Sequence, residues 1–139
     1  MLDRPYTDLL VWQRSRALVA LIYDLTRSFP REEVLGLTNQ MRRAAVSVPS
    51  NIAEGCGRQH ARDTIQFLFV ARGSLFERET QCYLAADQHY LNTEQLTTTL
   101  AALDECRKLL QGFIRYYKTL TPKSSGAKPT DNSQLTTDN

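Results

Sequence analysis

The side chains able to do chemistry gather in two stretches. Arg43, Ser47, Ser50, Asn51, Glu54 and Arg58 recur at intervals of three and four, which on a helix draws them into one polar stripe. Arg72 and Glu79 stand seven residues apart inside an otherwise apolar periodicity, with Glu77 beside them. Charges inside an apolar face need partners. If both stretches are helices paired antiparallel about a turn near His60, Arg43 comes level with Glu77 and within a turn of Glu79, and Arg72 comes level with Ser47 and Asn51. The expectation is a buried polar network of Arg43, Ser47, Asn51, Arg72, Glu77 and Glu79. Its role would be structural, because breaking a buried pair strands the remaining charge at a cost of about 3 to 5 kcal/mol.

An arginine beside a carboxylate could also position a substrate, but the rest of a catalytic apparatus is missing. Ser47, Ser50 and Ser74 lie in helical sequence without a neighbouring base or a nucleophile elbow, and Cys56, Cys82 and Cys106 have no activating histidine nearby. The two histidines, His60 and His89, complete no metal-ligand motif, and the Glu-x-x-His pattern of di-iron bundles does not occur. The chain reads as non-enzymatic, with no cofactor and no metal. Cys82 and Cys106 read as small core residues.

Binding chemistry is better represented. Arg42 with Arg43, and Arg58 with His60 and Arg62, form two basic clusters that could grip phosphates through charge-assisted hydrogen bonds weakened by salt. Net charge is only +2, from 17 basic and 15 acidic side chains, so any basic surface must come from local segregation. A symmetric oligomer would multiply each cluster around a ring.

The elements that must position these residues are helices. The first is expected from Asp8 to Ser28, capped by Thr7 and stopped by Phe29-Pro30, with Val11, Leu18, Leu21, Ile22, Leu25 and Phe29 on its core face. Trp12, Val19 and Tyr23 form a second apolar stripe that a lone bundle does not need, which marks them as an oligomer interface. The second helix follows Pro30, buries Leu37, Met41, Ala44, Val48 and Ile52, should kink near Pro49, and exits through Gly55 and Gly57. The third spans about Ala61 to Gln88 and is the most apolar. The fourth opens on Asn92 with Gln95 three residues on, a capping-box pattern, and carries Leu96, Leu100, Leu103, Leu110, Ile114 and Tyr117. An all-α, antiparallel up-down-up-down four-helix bundle over residues 1–120 follows, with a disordered tail over 121–139 rich in Pro, Ser, Gly, Thr and Asn. No apolar run reaches membrane-spanning length, the first residues lack a secretory pattern, and three widely spaced cysteines suit a reduced cytoplasm.

The run from Leu37 to Gly55, through Met41-Arg42-Arg43 and Val48-Pro49-Ser50-Asn51-Ile52-Ala53-Glu54, closely resembles the signature of the 23S rRNA intervening sequence proteins. The resemblance extends to Arg58, Phe67-Leu68, Ala71-Arg72-Gly73-Ser74-Leu75 and Glu77, and upstream to Leu9, Val11-Trp12, Tyr23, Thr26 and Phe29-Pro30. It implies a bacterial four-helix bundle assembled as a homopentamer. A related branch serves as the accessory protein of diversity-generating retroelements, binding nucleic acid and a reverse transcriptase. The expected role is therefore a homo-oligomer that contacts RNA, DNA or a nucleic-acid enzyme through Arg42, Arg43, Arg58 and Arg62, the alternative being a scaffold without nucleic-acid binding.

Overall fold

A computed structural model describes residues 5–122, which form four α-helices and two short 3-10 turns, with no strand among the described residues. The helices are α1 (Leu10–Thr26), α2 (Leu37–Cys56), α3 (Ala61–Asp87) and α4 (Thr93–Leu120). Each packs on its neighbours in chain order, and α4 returns to α1, so the four stand at the corners of a square with α1 and α3 on one diagonal. Hydrogen bonds from Thr64 to Gly55 and from Ser74 to Ser47 show α2 and α3 running antiparallel. The expected tail lies outside the described residues except for Thr121 and Pro122.

The core is built from three- and four-residue spacings that bring one face of each helix inward. Leu18, Ile22 and Leu25 meet Met41, Ala45, Val48 and Ile52, then Leu68, Ala71, Leu75, Cys82 and Ala85, and finally Leu103, Cys106, Leu110 and Ile114. All of these are buried.

Two helix starts differ from the sequence expectation. Pro5 initiates a 3-10 turn over Tyr6–Asp8, and α1 begins only after Leu9, which is extended and buried. Thr7 is therefore not the cap; its carbonyl accepts from Gln13 Nε2 at 3.0 Å. Pro30 likewise opens a second turn, Arg31–Glu33, and α2 waits until Leu37 because Gly36 leaves the helical region. α2 then runs through Pro49 as one continuous helix. Gly55 belongs to that helix rather than to its exit. A Cβ there would lie 3.1 Å from Phe67 Cβ and 3.2 Å from the Thr64 carbonyl, so its missing side chain is what lets α2 and α3 approach.

The far ends close as local rules require. Asn92 Oδ1 accepts from the Gln95 amide at 2.7 Å and Gln95 Oε1 accepts from the Asn92 amide at 2.9 Å, completing the expected capping box. α3 ends with His89 in the left-handed region at φ 63°, its N–H donating to the Ala86 carbonyl while Tyr90 N–H reaches that of Ala85. This is a Schellman arrangement with histidine where glycine is usual.

Glu33 ties this end of the bundle together. Its Oε1 accepts from the Leu37 amide at 3.0 Å, and its Oε2 accepts from Tyr90 Oη at 2.8 Å, linking the start of α2 to the α3–α4 turn. Both bonds favour the carboxylate and hold Glu33 below its ordinary 4.5. Its stabilising contribution is thus present above pH 4.5 and is lost as pH falls through the lower folded value. Urea denaturation between pH 6 and pH 3 should show wild type losing more stability than Glu33→Gln; parallel curves would contradict the clamp.

Candidate functional site

A concave surface lies between α1 and α2. Trp12, Val19 and Tyr23 stand on its α1 wall, and Val46, Pro49, Ser50 and Ala53 form the other, enclosing about 640 Å³. Tyr6 closes one end, its ring edge-on to Trp12 at 5.4 Å. Arg16 lies over the Trp12 ring at 5.6 Å and Arg42 over the Tyr23 ring at 4.6 Å, so each ring carries a cation against one face. The α1 residues were legible as a second apolar stripe. The α2 wall was not, although its members recur at three and four residues, because small side chains and a proline carry little hydrophobic signal.

A smaller polar cleft of about 340 Å³ opens between α2 and α3. Ser74 Oγ donates to Ser47 Oγ at 2.8 Å, and Asn51 Nδ2 donates to both the Ser47 carbonyl and its hydroxyl, at 2.8 and 2.9 Å. Arg43 and Glu77 line the same cleft, yet both are exposed and make no ion pair with each other. So the structure brings Arg43, Ser47, Asn51 and Glu77 to one seam, as the antiparallel register requires, but as a wet surface rather than a buried network.

Arg72 and Glu79 do not join it. Arg72 lies over the Phe69 ring at 4.8 Å, and Glu79 is exposed. The reason is a shift of one residue: the buried seam runs through Ala71, Arg78 and Ala85, and the next residue along a helix is turned about 100° away. The buried charge of α3 is therefore Arg78. It is 0% exposed, none of its guanidinium nitrogens has a hydrogen-bond partner among the described residues, and Gln81 Oε1 is likewise buried and unpaired. Burial pulls its pKa well down, to about 10, with Cys82, Glu77 and Cys106 acting the other way.

Of the four arginines expected to meet nucleic acid, two are engaged within the bundle. Arg42 donates from Nε to Thr26 Oγ1 at 2.8 Å besides lying over Tyr23. Arg58 lies over Phe67 at 4.6 Å and pairs with Glu54 at 3.3 Å. Arg43 and Arg62 are exposed and form no ion pair among the described residues. Arg62 sits in a depression with His60, Asp63, Leu120 and Pro122, where α3 begins and α4 ends.

Burial raises the thiols of Cys56, Cys82 and Cys106 to about 11, which keeps them protonated and weakly nucleophilic near neutrality. Among the described residues no group of three His, Cys, Asp or Glu side chains could hold a metal ion, and no helix is long and apolar enough to cross a membrane.

Residues 7–112 match a family model described as 23S rRNA-intervening sequence protein. No curated protein matches. Among solved structures, the chain is similar to a protein of unknown function from the S23 ribosomal protein family of Bacteroides thetaiotaomicron. The TM-score is 0.70 at 23% identity, over 76% of this chain and 96% of the other, a likeness of fold.

Proposed function

Because the chain belongs to the 23S rRNA-intervening sequence protein family, we propose that it acts as a non-enzymatic scaffold that assembles with copies of itself, a homopentamer as the family resemblance implies. The observation that carries this reading is the α1/α2 groove. Trp12, Val19 and Tyr23 are only partly covered by the bundle's own core, and together with Val46 and Pro49 they form a continuous apolar concavity. Apolar surface left in contact with water favours association, because covering it releases about 25 cal/mol for each Å² removed from water.

Contact with RNA or DNA, or with a nucleic-acid enzyme, is the second reading, favoured by Arg43 and Arg62, which are exposed and form no ion pair among the described residues. Copies arranged in a ring would repeat these cations and strengthen the local field. Arg42 and Arg58 would contribute less, since binding phosphate would compete with contacts they already make.

Light scattering or sedimentation at micromolar concentration tests the first reading: assembly is expected, and a monomer would overturn it. Fluorescence anisotropy of the same sample with structured RNA and single-stranded DNA at low salt tests the second. Binding should weaken in Arg43→Ala/Arg62→Ala and show a smaller salt dependence, because fewer counterions are released. Absence of binding would leave a scaffold that joins proteins alone.

A further inference from the structure

The polar cleft between α2 and α3 carries one cation, Arg43, and one anion, Glu77, among its lining side chains. Ser47 on α2 and Ser74 on α3 are bonded to each other, and Arg43 and Glu77 stand one turn beyond them in the same direction, on opposite walls. The two charges make no ion pair with each other or with any other described residue. Neighbouring cations are turned elsewhere. Arg42 lies over Tyr23 and Arg72 over Phe69, and Arg78, buried behind the cleft, attracts the Glu77 carboxylate without pairing with it.

The serine pair adds a donor. Ser15 and Thr26, buried on α1, each return a hydroxyl proton to a carbonyl four residues earlier. Ser47 and Ser74 do not. One hydrogen bond joins their hydroxyls, and the other side-chain contact at the Ser47 hydroxyl comes from Asn51 Nδ2, itself a donor. Two hydroxyl protons with one bond between them leave one proton over, whichever serine is taken as the donor. No acceptor among the described residues takes it, and both serines line the cleft.

We propose that this cleft binds a small zwitterion, an ammonium and a carboxylate on one short frame, of which the α-amino acids are the simplest class. The ligand carboxylate meets Arg43 and the spare serine proton, and the ammonium meets Glu77, so each contact is a charge-assisted hydrogen bond. A lone anion would lie against Glu77 and a lone cation against Arg43; the zwitterion turns both repulsions into attractions. The volume of about 340 Å³ is at the small end of the roughly 300 to 1,000 Å³ usual for ligand pockets. Ala44 is the one apolar side chain in the lining, and the amides of Asn39 and Gln40 stand beyond Arg43, which favours a polar ligand side chain over an apolar one.

Ligand-observed NMR titration of the full chain at low salt tests the site with four probes: serine, serinamide without the carboxylate, N-acetylserine without the ammonium, and serylserine with its end charges further apart. Serine should bind with a Kd of about 10 mM or tighter. Serinamide and N-acetylserine should each bind roughly three- to tenfold more weakly, because each lacks one charged contact. Arg43→Gln should lose the preference for serine over serinamide, and Glu77→Gln the preference for serine over N-acetylserine. Both positions are exposed, so neither substitution should disturb the fold. Tighter binding of serine than of serylserine assigns the site to a free amino acid, and the reverse order to the termini of a short peptide. Three results would overturn the proposal: no binding of serine or serylserine, single-charge analogues that bind wild type as well as the zwitterions do, or preferences that survive both substitutions.

Discussion

Arg78→Leu is expected to raise the unfolding free energy by about 1 to 4 kcal/mol, the range seen when buried ionic groups give way to apolar residues of similar volume. The guanidinium is 0% exposed, sits in the seam between Ala71 and Ala85, and has none of its three nitrogens hydrogen-bonded to a described residue. Desolvation therefore opposes folding without a compensating pair. Leucine keeps most of the apolar contacts of the arginine stem and removes the charge. Arg78→Lys should give no such gain, because an ammonium in the same place is at least as strongly hydrated in the unfolded chain. Urea denaturation of the three proteins at equal concentration checks the order. A loss of stability in Arg78→Leu would mean that the guanidinium is satisfied in solution by a partner that leucine cannot replace.

Alkaline solution should unfold the bundle earlier than its surface charge would suggest. Cys82 and Cys106 are 0% and 2% exposed, and burial raises each thiol from 9.0 to about 11. In the unfolded chain they ionise near 9, so the stability they contribute is present below pH 9 and is lost as pH rises through about 11. Each shift corresponds to a ceiling of roughly 2 to 3 kcal/mol. Arg78 works in the opposite direction, since the penalty on its charge begins to ease as pH rises through about 10. Two thiols outweigh one guanidinium over most of this window, and the half-buried Cys56, also raised to about 11, adds to the loss. The urea midpoint should therefore fall between pH 8.5 and 10.5, and fall less in Cys82→Ala/Cys106→Ala. A midpoint insensitive to pH in wild type would contradict the burial of both thiols.

These two effects show which parts of the molecule were written locally and which were not. The core faces of α1, α2 and α4 and the Asn92–Gln95 capping box depend on neighbours three or four positions away, and these were legible. The buried charge was misplaced by one position, because Arg72/Glu79 and Ala71/Arg78 fit a seven-residue period equally well. Only the rotation of α3 against its neighbours selects between them, and that rotation is set by the whole core, including the close approach at Gly55. The same rotation leaves Arg43 and Glu77 at the rim of a hydrated cleft. The roles of Arg42 and Arg58 were hidden for a related reason. A cationic side chain shows its charge in the sequence, but whether it meets solvent or an aromatic ring is decided by another helix, here through Tyr23 and Phe67.

The position of Leu120 and Pro122 beside His60 and Arg62 has a consequence for any cyclic assembly. The start of α1, the α2–α3 turn and the end of α4 lie at one end of the bundle, whereas the Glu33–Tyr90 clamp lies at the other. In a ring whose bundles stand along the rotation axis, rotation carries every copy's ends to matching sides, so the ring would be two-faced. One side would gather Arg62 and Pro122 from every copy, and the other would present the clamped connections. Cargo fused after α4 would be displayed entirely on the arginine-bearing side, leaving the reverse free for attachment to a surface.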